Sequence, residues 1–295
     1  MKKLALLYLL LPICAAAQSP GKSNIVLFSL SKTADSTWRA DAPRFLTAFN
    51  LKGYNNQPSF FDNNQLWFTA QLYPDTSQTD ILALDLLLKT QTRVTATAAT
   101  AEYSPTLMPG GKRFSAVRVE EDGNQRLWSF PIDRSDDGRP EFPRIYNVGY
   151  HCWMRDTLAA LFIVGENGQP HSLVSVGIKG QKPMRIAGNI GRCLIKRPDG
   201  KLLFVQKPTE QTWFLKTWDP ATNAQDILLK MPAGTEDFAL LPDGTLLCGQ
   251  GAKLFQFNPR RDSDWREIAD LGRYGINKVS RLAASKDGKL AVVVQ

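Results

Sequence analysis

Hydrophobic and polar positions alternate along this chain in short runs broken by turn residues. The stretch "YSPTLMPGGKRFSAV", Tyr103 to Val117, shows the unit: an apolar half, a turn on Pro109, Gly110 and Gly111, and a second apolar half. Asp-Gly and Gly-Gly pairs supply the positive backbone angles that a tight hairpin needs. The same arrangement recurs at six places, around Asn63, Gly110, Asp156, Asp199, Asp243 and Asp287. Successive turns lie 47, 46, 43, 44 and 44 residues apart, and Asp156-Thr157, without a glycine, is the weakest copy.

After each turn comes a third alternation: "ILALDL" from Ile81, "LWSFPI" from Leu127, "LVSVGI" from Leu173, "LKTWDP" from Leu215 and "LFQFNP" from Leu254. Period-two alternation predicts strands with one face buried. A fourth, more polar strand is predicted in "TRVTAT", "PRIYNV", "PMRIAG", "AQDILL" and "WREIAD". Four strands at a period in the mid-forties make the blade of a β-propeller. The expected fold is therefore all-β: a six-bladed β-propeller with four antiparallel strands per blade. The blades are expected at about 54–100, 101–147, 148–190, 191–233, 234–276, and 277–295 together with 24–53. The sixth unit ends after "KVSRLAAS" and "KLAVVV". Its third and fourth strands are expected from the other end of the chain, in "NIVLFSLS" from Asn24 and "PRFLTAFN" from Pro43. Such closure removes an exposed sheet edge and implies one domain over 18–295.

The first residues, "MKKLALLYLLLPICAAAQ", have the charged start, apolar run and small-residue end of a secretory signal peptide, with cleavage expected after Ala17. Lipidation at Cys14 is the lesser alternative, because Ile13 and Pro12 are a poor match to the small residue it needs. The apolar run is too short for a stable membrane anchor. Loss of Lys2 and Lys3 would lower the formal charge from +8 to +6. The remaining basic residues are scattered among acids, which argues against a nucleic-acid partner. Cys152, Cys193 and Cys248 sit among apolar neighbours, as buried thiols do, although a Cys152–Cys193 disulfide stays open. At 43% hydrophobic and 22% charged residues the composition is that of a globular protein.

The segments "QPSFFDNNQLWFTAQ", "EYSPTLMPGGKRFSAVRVEEDGNQRLWSFPID" and "RPDGKLLFV" resemble the WD40-like repeat with a PDG turn found in TolB-type propellers. The resemblance covers the whole expected mature chain and is specific for fold more than for activity, since such propellers also accompany peptidases. It implies an exported protein, periplasmic or secreted, that binds an envelope protein or a small polar ligand. It extends to the propeller alone: roughly six residues between Gln18 and Asn24 leave no room for the N-terminal α/β domain of that family.

A search for chemistry is mostly negative. "PGKS" at Pro20–Ser23 lacks the first glycine of a phosphate loop, Ala16 standing in its place, and no GxSxG nucleophile motif occurs. The two histidines, His151 and His171, have no carboxylate or cysteine at zinc-ligand spacing, so neither metal nor cofactor is expected. The acidic "EEDG" and "SDDG" stretches are expected in solvated hairpin connections.

What remains is the ring itself. The segments leading into the six inner strands, "YNNQP", "AEYSP", "VGYHC", "NIGRC", "GTEDF" and "NKVSR", should converge on one mouth of the central channel. They carry Asn56, Gln57, Glu102, Tyr103, Tyr150, His151, Arg192, Glu236, Asp237 and Arg281 as candidate ligand-binding residues. Arg192 or Arg281 pairing with Glu236 or Asp237, and Tyr103 and Tyr150 as plugs between blades, are the plainer alternatives. The favoured function is a non-catalytic binding or scaffolding module, expected to be a monomer, with no catalytic residue assigned. The alternative is a hydrolase or lyase acting on a sugar, lactone or peptide, with Glu102, His151 and Glu236 as acid or base groups.

Overall fold

The computed structural model describes residues 20–75, 78–178 and 182–295; the expected signal peptide lies outside the described residues. The chain enters with β1 (Asn24–Lys32) and β2 (Trp38–Phe45), followed by a short 3-10 turn at Ala48–Asn50. Blade 1 is β3 (Tyr54–Phe60), β4 (Gln65–Gln71), β5 (Asp80–Asp85) and β6 (Thr90–Arg93). Blade 2 is β7 (Ala101–Leu107), β8 (Arg113–Val119), β9 (Gln125–Pro131) and β10 (Arg139–Pro140). Blade 3 is β11 (Val148–Arg155), β12 (Leu158–Ile163), β13 (Ser172–Gly177) and β14 (Met184–Gly188). Blade 4 is β15 (Ile190–Lys196), β16 (Leu202–Gln206), β17 (Phe214–Trp218) and β18 (Gln225–Lys230). Blade 5 is β19 (Phe238–Leu240), β20 (Leu246–Gln250), β21 (Lys253–Phe257) and β22 (Arg266–Asp270), and β23 (Val279–Ala284) and β24 (Lys289–Val294) complete the chain.

Each sheet holds four antiparallel strands in sequence order, except the sixth, whose order is β2-β1-β24-β23. There β1 pairs with β24 from Asn24↔Val294 to Ser29↔Lys289, so the two ends of the chain close the ring as the turn spacing implied. A propeller shut in this way leaves no open interface between its first and last blades.

The core explains why the second and third strands read as nearly continuous apolar runs. Six buried clusters lie one at each blade-to-blade contact, and neighbouring residues of a middle strand serve opposite clusters. Leu202 and Phe204 pack toward blade 3, whereas Leu203 and Val205 pack toward blade 5. Leu290 and Val292 face blade 5, and Ala291 and Val293 face blade 1. Middle strands are thus buried on both faces, so the expectation of a single buried face holds only near the outer edge of each blade.

Two strand expectations are corrected. The outer strand of blade 2 is Arg139–Pro140, not "PRIYNV". Pro140 and Pro143 cannot donate to a ladder, Phe142 turns into the blade 2–blade 3 core, and Ile145 N donates to Phe142 O in a turn. The outer strand of blade 6 begins at Trp38, not Pro43, and most of "LTAFN" is a turn. Among the described residues no helix is long and apolar enough to cross a membrane.

Candidate functional site

The inner strands β3, β7, β11, β15, β19 and β23 surround a cavity of about 330 Å³, lined at successive blades by Gln57, Ser104, Tyr150, Arg192, Asp237 and Arg281. Five of these strands break register near the end where the chain enters, at Asn56/Ser59, Tyr103/Thr106, Val148/Tyr150, Ile190/Leu194 and Val279/Arg281. A bulge leaves a residue out of the ladder and re-aims its side chain, which is how a paired strand can offer a polar group to the channel. In blades 1 and 2 the device is sharper: Gln57 and Ser104 adopt positive φ, 56° and 57°, just before Pro58 and Pro105. That costs backbone energy for a residue with a Cβ, and hydrogen bonds across the blades hold it in place. Gln57 Oε1 accepts from Thr69 Oγ1 at 2.7 Å and from Ser104 N at 2.9 Å.

On the opposite side of the ring the charged residues bind one another. Arg192 Nε donates to Asp237 Oδ2 at 2.8 Å and its Nη2 to Ser280 O at 3.0 Å, and Glu236 Oε1 lies 3.5 Å from Arg192 Nε. Arg281 Nη1 is 3.6 Å from Asp237 Oδ1, and its Nη2 donates to Tyr150 Oη at 2.6 Å. Burial alone would lower the pKa of Arg281, but the Asp237 carboxylate and the Tyr150 and Tyr54 hydroxyls outweigh it, and the guanidinium is held charged. Tyr54 is pushed up by burial and stays a neutral phenol. Lys207, at the end of the second strand of blade 4, pairs with Glu236 and lies 4.4 Å from the Trp213 ring centroid.

The remaining candidates are placed differently. Glu102 is fully buried, accepting from Thr97 Oγ1 and Thr100 Oγ1 and lying 3.3 Å from Arg118 Nε. Burial raises its pKa, against the threonines and Arg118. Its neighbour Tyr103 lies on the wall of a larger cavity, about 660 Å³, shared with Tyr54, Tyr150, Gln71 and Glu120. Asn56 is buried, and its Nδ2 reaches Ser23 Oγ at 3.4 Å.

His151 lines the inner cavity but is buried, with Nε2 2.7 Å from Ser115 Oγ. Ser115 Oγ also accepts from Trp153 Nε1 at 2.9 Å and lies 3.4 Å from Thr106 O, so the serine serves His151 Nε2 either as acceptor, donating to Thr106, or as donor. His151 Nδ1 has no hydrogen-bond partner within the protein. Burial lowers the His151 pKa to about 3, so the ring is neutral at physiological pH.

Structure therefore brings Gln57, Tyr103, Tyr150, His151, Arg192, Glu236, Asp237 and Arg281 to the channel and its mouth, while Glu102 and Asn56 serve packing behind it. Sequence reasoning did not single out Tyr54, Ser104 or Lys207. Tyr54 and Ser104 stood inside the quoted entrance segments, but Lys207 comes from a second strand and carried no positional signal. Cys152, Cys193 and Cys248 are free thiols. Burial pushes Cys152 up to about 12 and raises the other two, which makes all three poor nucleophiles. Among the described residues no group of three or more His, Cys, Asp and Glu comes together that could hold a metal ion.

No protein-family model matches the sequence, and no curated protein matches it. Solved structures do match in fold. A putative TolB from Agrobacterium tumefaciens superposes with a TM-score of 0.66 at 12% identity, over 92% of this chain and 98% of the other. A chain of a nidogen/laminin complex gives 0.65 at 10% identity, over 90% and 99%. A puromycin hydrolase gives 0.59 at 16% identity over 92% of this chain, which spans 49% of the length of that enzyme. At these identities the likeness is one of fold: a TolB-like propeller.

Proposed function

We propose that this protein is an exported, non-catalytic binding module whose ligand docks at the channel mouth, between the tyrosine-lined cavity of blades 1 to 3 and the ion-paired arginines of blades 4 to 6. The observation that carries this reading is that the candidate acid and base groups Glu102, His151, Glu236 and Asp237 are already engaged. Glu102 is enclosed by threonines and Arg118, His151 is neutral and packed on Ser115, and Glu236 and Asp237 are paired with Arg192, Arg281 and Lys207. A hydrolase or lyase needs an acid or base within reach of its substrate, with a pKa matched to its task. Binding needs something else: a rigid concave surface with amphipathic side chains and hydrogen-bonding groups already oriented. Tyr54, Tyr103 and Tyr150 offer large contact area at small entropic loss, and the Arg192–Asp237–Arg281 network holds its donors in fixed directions. A polar small molecule or a peptide segment of an envelope partner fits that chemistry.

The test is affinity capture from envelope extract, comparing wild type with Tyr103→Ala and with Tyr103→Ala, Arg192→Ala, each checked for an unchanged thermal unfolding profile. Loss of a captured species by the folded single variant supports the mouth. Retention of every captured species by both variants refutes it.

A further inference from the structure

A cluster of exposed apolar side chains on the mouth face lies on the rim between blades 6 and 1, away from the channel. Phe45 ends β2, Phe49 and Leu51 lie in the turn that leads to β3, and Tyr73 follows β4; they are 44%, 44%, 50% and 56% exposed. Their immediate neighbours Leu46 and Leu72 turn inward onto the blade 6–blade 1 core, so the outward side chains are not needed to fill it. The pieces are tied together: Tyr73 N donates to Asn50 Oδ1 at 3.0 Å, Asn50 Nδ2 donates to Gln71 O at 2.9 Å, and Lys52 Nζ sits 5.4 Å from the Tyr73 ring centroid.

Cations frame this surface. Lys52 and Arg44 are exposed within it, and exposed Lys22 joins them because Ser23 N donates to Gly53 O while Asn55 N donates to Ser23 O. The nearby acids are Asp41, which lies between Arg39 and Arg273, and Asp75, next to Pro74. Aromatic and aliphatic side chains ringed by lysine and arginine are the composition that settles at a lipid headgroup boundary, the rings entering the interface and the cations pairing with anionic headgroups.

We infer that the Phe45–Phe49–Leu51–Tyr73 rim docks on an anionic phospholipid surface and turns the channel mouth toward the bilayer. Membrane docking takes from the proposed function only the exported location; vesicle binding and capture at the mouth are measured separately, so either can fail alone. Aromatic rim and cationic frame act together, the first through burial of apolar area and the second through headgroup attraction, and the second weakens with salt.

Co-sedimentation tests it, using the exported protein purified from cells, with its N-terminus read by mass spectrometry and identical in every variant. The probes are vesicles of phosphatidylcholine alone and of phosphatidylcholine mixed with phosphatidylglycerol. Wild type is expected to sediment with the mixed vesicles, less with the neutral ones, and less at high salt. Phe49→Ser, Leu51→Ser should lose binding to both. Lys22→Gln, Arg44→Gln, Lys52→Gln should bind the mixed vesicles on the order of a hundredfold more weakly, about fivefold for each cation removed. All five positions mutated are exposed, and an unchanged melting profile confirms that each variant is folded. Wild type remaining in the supernatant overturns the inference, as does equal binding by both variants. A lipid-free dimer in light scattering that Phe49→Ser, Leu51→Ser converts to monomer overturns it in favour of a second copy of this chain.

Discussion

Acid should weaken this propeller through His151 in a way that a single substitution removes. The ring is buried, its Nε2 is held by Ser115, and its Nδ1 has no partner in the protein that could stabilise a second proton. Its pKa falls from 6.5 to about 3 on folding because burial disfavours the cation. Below pH 6.5 the unfolded chain takes up a proton that the folded protein refuses, so stability falls as pH falls from 6.5 toward 3 and is unaffected above that window. The slope is about 1.4 kcal/mol per pH unit, so at about pH 4.5 the loss is roughly 2.7 kcal/mol. For a chain of this size that is a fall in melting temperature of roughly 5 °C. His151→Gln keeps a side chain able to meet Ser115 but cannot titrate. Urea unfolding of both proteins at about pH 7.5 and about pH 4.5 gives the double difference, expected at about 2–3 kcal/mol in favour of the variant. Identical pH dependence of the two proteins, or an imidazole seen by NMR to titrate near its ordinary value in the folded protein, would refute the reasoning.

Two further outcomes follow from the same interior. Asp237→Ala leaves Arg192 and Arg281 without the carboxylate that lies between them and should cost about 3 kcal/mol in chemical denaturation; a loss within error of zero would mean that solvent replaces the pair. Gly249→Ala would place a Cβ 2.6 Å from Val279 Cβ, where blade 5 meets blade 6, and should lower stability by about 1–3 kcal/mol with unchanged strand content by circular dichroism.

Much of the architecture was readable because it repeats. Asp-Gly and Gly-Gly turns at Gly110, Asp199, Asp243 and Asp287 set a period, and the unfinished sixth unit located its missing partner strands at Asn24. Edges of blades were less readable, since Pro140 and Phe142 decide the outer strand of blade 2 by what they cannot donate and where they pack. The mouth was readable as a set of segments but not side chain by side chain. Glu102 and Tyr103 are adjacent, yet one is enclosed behind the strand and the other lines a cavity. A bulge at the next residue, Ser104, with its positive φ, breaks the simple alternation that would have assigned their faces. Lys207 reaches Glu236 from another strand of the neighbouring blade, a contact that the stacking of blade 4 on blade 5 creates.

Site-specific photo-crosslinking in exporting cells tests the central claim most directly. A photoreactive residue is placed at exposed Ala99, on the wall of the mouth cavity, and as a control at exposed Leu87, in the β5–β6 turn on the other face. Occupation of the mouth predicts a discrete adduct from position 99 that is absent from position 87 and disappears with Tyr103→Ala. Adducts from position 87 with none from position 99 would contradict the account and move the binding surface to the opposite side of the ring.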